Sequence, residues 1–185
     1  MADLILQIAV SLDNFIEDAD GSIDFMESDT STDALHTAML RSIDGMIFGR
    51  KAHALLARFW PGAATMPNPA QALLEQAELM NRLPKYVLTH KRDTHGWANS
   101  HPIDVDGVAR LKREAQRPIA LYAGAGAASA LMDQVDEIRL IQYPVLLGSG
   151  TRLFGDGVRR ALELIENRTF SSGVSVLRYR VTTTA

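Results

Sequence analysis

The chain has 185 residues, 46% of them hydrophobic and 22% charged, which are the proportions of one globular domain and exclude a disordered chain. Its 19 Lys+Arg stand against 22 Asp+Glu, a net charge of -3, so the basic excess of a nucleic-acid binder is missing while a few local cations can still hold a small anion. Cysteine is absent, which removes disulfides, thiolate catalysis and cysteine-based metal centres and fits a reducing cytosol.

Met1 to Val10 is apolar but lacks a basic n-region and is interrupted by Asp3 and Gln7. No run approaches the roughly 20 apolar residues of a membrane span. A cytoplasmic protein without membrane association is expected.

Leu4 to Ser11 reads as a buried strand ended by Asp13-Asn14, and a polar loop follows at 17–22. Ser31, Thr32 and Asp33 are candidate N-caps for a helix that places Leu35, Met39 and Ile43 on one face. Gly45 to Gly49 is a short strand that runs into a helix over Arg50 to Phe59, stopped by Trp60-Pro61-Gly62. Asn68 as N-cap with Pro69 behind it starts the next helix, whose stripe is Leu73, Leu74, Ala77 and Met80. Lys85 to Thr89 is a strand, Asp106 to Gln116 a helix, and Pro118 to Tyr122 a strand that opens into Gly124-Ala125-Gly126-Ala127 and a helix through Met132. Glu137 to Gln142 is a strand, and Ala161 to Glu166 with Val174 to Val181 form a hairpin turning near Ser171-Ser172-Gly173. Repeated strand-helix alternation closed by an antiparallel pair predicts an α/β fold, a mainly parallel central sheet with helices on both faces. Without linkers or repeats, residues 1–185 read as a single domain.

Ligands of open α/β sheets sit beyond the carboxyl ends of strands, where helix starts present free amides. Two turns suit an anion: Gly49-Arg50-Lys51, and the truncated G-x-G of Gly124, Ala125, Gly126 and Ala127. Thr89, His90, Lys91 and Arg92 form a basic strand end suited to a 2′-phosphate, or simply a solvated loop. The five histidines show no H-x-H or H-E-x-x-H spacing, so no metal site is expected. No G-x-S-x-G elbow supports a serine hydrolase.

Seven segments in order resemble the dihydrofolate-reductase-like proteins related to the reductase domain of the bifunctional riboflavin-biosynthesis deaminase-reductase. Residues 9–16 are similar to its SLDG-x-I opening, 20–25 to DGS-x-DW, and 44–50 to a D-x-hydrophobic-GR strand. Phe59-Trp60-Pro61 and the segments 83–87, 135–140 and 144–154 also fit. The resemblance implies an NADPH-dependent reductase acting on a pterin-like or ribosylaminopyrimidine-like heterocycle. It implies that Gly49, Arg50 and Lys51 meet phosphates, Thr89 and His90 lie near the 2′-phosphate, and Gly124 to Ala127 cover the pyrophosphate. Asp13 and its loop would line the nicotinamide, and Asp24, Phe25 and Trp60 the substrate.

For the proton, Asp33 stands where dihydrofolate reductases keep an acid on their first helix, though it also reads as an N-cap, and Asp13 and Asp24 compete with it. Three positions depart from the pattern: Asn14 for Gly, Phe25 for Trp, and Ala52 for Thr. The last two motivate an alternative, a nucleotide-binding or ligand-sensing module without catalysis. The deaminase half carries H-x-E and P-C-x-x-C; with neither present, only the reductase half is expected. A homodimer is expected too, since the C-terminal hairpin, with Val174, Val176 and Leu177, would present a sheet edge or face in need of cover.

Overall fold

A computed structural model describes residues 1–27, 29–89, 96–155 and 157–182. In chain order it runs β1 (Leu4–Val10), β2 (Phe15–Glu17), α1 (Thr30–Ser42), β3 (Gly45–Gly49), α2 (Arg50–Leu56), a 3-10 turn (Trp60–Thr65), α3 (Gln71–Arg82), β4 (Lys85–Leu88), β5 (Ser100–Ile103) and α4 (Val105–Glu114). It continues with β6 (Ile119–Tyr122), α5 (Ala125–Leu131), β7 (Glu137–Gln142), β8 (Thr151–Arg152), β9 (Ala161–Thr169) and β10 (Ser175–Thr182). Eight strands form one sheet in the order β5-β4-β3-β6-β1-β7-β10-β9, and β2 pairs with β8 apart from it. The pairs β1–β7, β3–β4 and β4–β5 are parallel, while β7–β10 and β10–β9 are antiparallel. This is the α/β sheet with a C-terminal antiparallel hairpin that the alternation predicts. Among the described residues no helix is long and apolar enough to cross a membrane.

The chain forms two compact units, Met1–Ala2 with Ser28–Ala120, and Asp3–Glu27 with Leu121–Ala185. In the first, Met46, Ile47 and Phe48 of β3 and Val87 of β4 are fully buried with Met39, Leu40, Ile43, Ala77 and Met80. The core also holds a cation. Lys85 is buried, and its ammonium donates to the carbonyls of Met80, Asn81 and Leu83 at 2.8, 3.0 and 2.7 Å, at the carboxyl end of α3. Those carbonyls lack intrahelical partners, and the helix dipole favours a cation there. Trp97 packs below it, its ring centroid 4.8 Å from Nζ.

Several boundaries differ from expectation for local reasons. The N-cap of α1 is Asp29, whose carboxylate accepts from the amides of Ser31 and Thr32 while Thr32 Oγ1 accepts from the Asp29 amide. A reciprocal cap two residues upstream satisfies more donors than any of the three candidates, and leaves Asp33 inside the first turn. Helix α2 ends at Leu56, and Trp60-Pro61 opens a 3-10 turn, because proline at the first position forfeits no hydrogen bond. Asn68 takes a left-handed φ of 51° and the N-cap of α3 falls to Ala70. The unanticipated β5 carries Pro102, which its place at the sheet edge tolerates.

In the second unit, Glu137 on β7 accepts from Arg139 and from Arg178 on β10, and Arg178 also reaches Glu166 on β9. Burial alone would raise the Glu137 carboxyl, but the two guanidiniums hold it below the usual carboxylate range. The β2–β8 pair rests on Gly150, where φ is 142° and a Cβ would run into the Glu17 carbonyl oxygen. The exposed apolar side of the hairpin is not where the sequence places it. Val174 and Val176 are buried and Leu177 half-buried, whereas Leu162, Leu164 and Ile165 of β9 face solvent.

Candidate active site

Each unit carries one of the two strand-to-helix turns. In the first, Gly49 ends β3 with extended backbone and caps α2 without a side-chain hydrogen bond. Arg50 and Lys51 follow, both exposed and neither in an ion pair among the described residues. Two cations and no acid in a first turn are unfavourable unless an anion offsets them. Gly49 stands in register with Leu88, so the turn and Thr89 leave adjacent parallel strands at the same edge, where the Thr89 amide donates to Ile103 O at 3.1 Å. His90, Lys91 and Arg92 lie outside the described residues.

In the second unit, Gly124 caps α5, and Ala125, Gly126 and Ala127 form its first turn, again without a side-chain cap. Neither glycine has a positive φ, and a Cβ on either would meet nothing within 4 Å. Neither is demanded by conformation or by packing within the chain. Inside a helix glycine costs up to roughly 1 kcal/mol against alanine, which applies to Gly126 and not to the N-cap Gly124. Open space above both fits a group that must approach the backbone closely. That is the property a pyrophosphate requires, and the residues present fit it.

Asp13 leaves β1 and turns to the loop after β7. Its carboxylate accepts from Ser11 Oγ at 2.7 Å and from the amides of Leu147 and Gly148 at 3.1 and 2.8 Å. The Ser11 hydroxyl and then the two amides outweigh desolvation and bring its pKa down to about 2. A group so ionised at neutral pH is a tether and not a proton donor. Its folded pKa lies below the unfolded value, so its contribution is complete above about pH 4 and is lost as pH falls toward 2. Asp13→Asn is therefore expected to flatten the acid limb of the stability curve between those values, measured by urea unfolding across pH; an unchanged limb contradicts the tether.

Asp24 is exposed, with its amide bonded to Ser22 Oγ. Phe25 is half-buried and meets Tyr143 edge-on at 5.7 Å. Back in the first unit, Asp33 belongs to a polar cluster that the sequence did not reveal. Gln76 Nε2 donates to Thr37 Oγ1 at 3.2 Å and points at Asp33 O and Oδ1 at 3.1 and 3.4 Å. The Gln76 side chain also hydrogen-bonds His36, one turn beyond Asp33. Desolvation lowers the His36 pKa, and the pull of Gln76 and Asp33 in the other direction does not restore it, so the ring is neutral at neutral pH. The available signal was a polar side chain on the buried face of α3, between Leu73 and Ala77. The Trp60 ring lies 5.9 Å from His36, and its buried indole N–H has no hydrogen-bond partner among the described residues. Among those residues no cluster of His, Cys, Asp or Glu could hold a metal ion.

Comparison with known proteins places this geometry. The crystal structure of a putative riboflavin biosynthesis protein from Shewanella sp. PV-4 superposes with a TM-score of 0.73 at 22% identity, covering 99% of this chain and 100% of that one. Dihydrofolate reductase from Enterococcus faecalis, complexed with NADP(H) and RAB-propyl, superposes with a TM-score of 0.63 at 12% identity, covering 98% and 97%. The fold is thus the dihydrofolate-reductase type of α/β fold. The chain belongs to the RibD C-terminal domain family, whose model matches residues 2–176. Uncharacterized protein YyaP of Bacillus subtilis (strain 168) is 33% identical over 184 residues, 95% of this chain and 93% of that one.

Proposed function

We propose that the chain is an NADPH-dependent reductase of a small heterocycle, pterin-like or of the ribosylaminopyrimidine type. The observation that carries this reading is the open space over Gly124 and Gly126 at a strand-to-helix turn, joined to membership of a reductase family. Bound NADPH supplies a hydride. The chain's own task is to hold the phosphates with Gly49, Arg50, Lys51, Thr89 and His90, and to let the pyrophosphate approach the backbone from Gly124 to Ala127. Asp33, whose carboxyl Gln76 Nε2 approaches at 3.4 Å, is the acidic side chain proposed to pass a proton to the substrate nitrogen, while Asp13 keeps its loop in place. In the first unit Trp60, whose indole N–H has no hydrogen-bond partner among the described residues, offers it to a ring acceptor such as a carbonyl; in the second, Asp24 and Phe25 are the proposed substrate contacts. Oxidation of NADPH with a panel of pteridines and aminopyrimidines tests the reading. Loss of absorbance at the nicotinamide band supports it.

Ala52 and Phe25 favour a second reading, a ligand-binding module of the same fold without turnover. Binding of NADPH with no oxidation across the panel selects it. Gly126→Ala gives an independent check. Alanine in the first turn of α5 should stabilise the free protein by about 0.4–1 kcal/mol, while the added methyl weakens NADPH binding. A variant stabilised in thermal unfolding but with unchanged NADPH affinity counts against this placement of the pyrophosphate.

We also propose a cytoplasmic homodimer. Leu162 and Leu164 are 44% and 52% exposed on the terminal strand of the sheet, and an uncovered apolar edge invites a second copy. Light scattering at micromolar concentration should show twice the 20.3 kDa of one chain; a single-chain mass overturns the dimer.

A further inference from the structure

We propose that the cavity beside Arg152 is a subsite for an anionic group, a phosphate monoester or a carboxylate, carried on a small apolar ring. The cavity measures ≈ 230 Å³ and is lined by Val10, Asn14, Leu140, Arg152, Leu153 and Phe154. Pockets that enclose whole drug-sized ligands run to about 300–1,000 Å³, so this one takes a single substituent. Its walls divide by chemistry: aliphatic and aromatic side chains from four residues, and two polar groups, the Arg152 guanidinium and the Asn14 amide.

Both polar groups are uncommitted. Arg139, Arg160, Arg178 and Arg180 of the same unit each reach a carboxylate. Arg152 reaches none among the described residues, and the Asn14 side chain has no hydrogen-bond partner among them. Arg152 is nevertheless held in place. Its backbone pairs with Phe15 across β2 and β8, and its guanidinium lies 5.0 Å over the Phe15 ring, itself buried. The guanidinium is otherwise exposed, and its N–H donors form the fork that matches carboxylate and phosphate oxygens in pairs. The contact with the Phe15 ring lowers the entropy that a free surface arginine loses on binding. Asn14 stays at the mouth because its left-handed backbone, φ 66°, is fixed by the turn in which its amide donates to Ser11 O. A fixed cation, a free amide and an apolar floor around one small space define the ligand class: the anion meets the fork and the ring meets Leu140, Leu153 and Phe154.

The test titrates the whole isotopically labelled chain by NMR with phenyl phosphate, benzoate and benzyl alcohol, with no nucleotide present. Its outcome is therefore separate from that of the reductase reading. The backbone resonances of Val10, Asn14, Leu153 and Phe154 should move with one or both acids and stay in place with the alcohol. Response to phenyl phosphate alone names a phosphate monoester, and response to benzoate alone a carboxylate. Arg152→Gln should weaken the responding acid by about tenfold. Arg152→Lys keeps the charge and loses the fork, so it should bind more weakly than the parent, and it decides the matter if the Gln variant does not fold. The proposal is overturned if neither acid moves these resonances, if benzyl alcohol moves them equally, or if the folded variants bind like the parent.

Discussion

Replacing Arg50 with alanine should cost NADPH far more affinity than NADH. The two cofactors differ by one 2′-phosphate, and the cations proposed to meet it are Arg50, Lys51, His90 and Lys91. A charge-assisted hydrogen bond contributes about 1.5–3 kcal/mol, so two of them favour NADPH by very roughly 10²-fold. Arg50 is exposed, which places its share at the lower end, so Arg50→Ala should remove about tenfold of that preference. Only one ligand loses a partner, and the constant for NADH should barely move. The preference should also shrink as salt is raised. Fluorescence titration of both cofactors at two ionic strengths measures all of this. Equal affinities in the parent, or an equal loss in the variant, would mean that the Gly49-Arg50-Lys51 turn does not meet the 2′-phosphate.

The second large effect is on stability. Lys85→Met keeps a side chain of similar length and removes the ammonium. Replacing a buried ion pair by apolar groups is often harmless, because both charges leave together. Here the partners are main-chain carbonyls of Met80, Asn81 and Leu83, which no substitution removes. They would remain buried without a donor at the end of α3, at about 1–3 kcal/mol for each that water cannot reach. A net loss of about 3 kcal/mol is expected after the relief of desolvating the cation. The pH dependence gives a second signature. Burial pushes the Lys85 pKa down to about 8, from 10.5 in the unfolded chain. The unfolded chain therefore binds more protons between those values, and stability should rise with pH across that window. Lys85→Met should abolish the rise. Urea unfolding from pH 7 to 10.5 reads both effects, and a variant as stable as the parent with the same slope would show that the ammonium does not cap the helix.

These two cases mark how far the sequence carries. Arg50 was legible because its meaning is local, a cation directly after a strand-ending glycine. Strands β3 and β7 were legible to the residue for the same reason, since glycines bracket one and an apolar alternation bounded by Asp136 and Tyr143 defines the other. Lys85 read only as the first residue of a strand, because its partners belong to a helix end that turns back on it. The α1 cap was misplaced because Asp29 competes with three good caps that follow it, and only the reciprocal bond from Thr32 decides. Strands β4 and β6 are only four residues long yet legible as apolar runs. By contrast, β2, β5 and β8 are as short or shorter, show no apolar run that stands out from the loops around them, and exist because a neighbouring strand completes them. At the candidate site, the turn glycines could be found by pattern. The linkage of Asp33, His36 and Gln76 could not, because it joins α1 to α3 across a separation of 43 residues. Asp13 looked like an acid for the same reason: its amide donors come from Leu147 and Gly148, far along the chain.

The interleaving of the two units bears on the order in which the chain can fold as it is made. β1 is synthesised among the first ten residues, yet its neighbours in the sheet are β6 and β7, and its register pairs Ile5 with Glu137. On a ribosome, β1 must wait while the whole contiguous stretch 28–120 emerges. That stretch carries β3, β4 and β5 with their helices, and its strand pairs span short separations. The partners of the β3–β4 and β4–β5 pairs are therefore all present while an apolar β1 is still unpaired, and the long-range β1–β7 pairing closes last. Chaperone demand should peak during synthesis of 28–120 and fall once β7 has emerged.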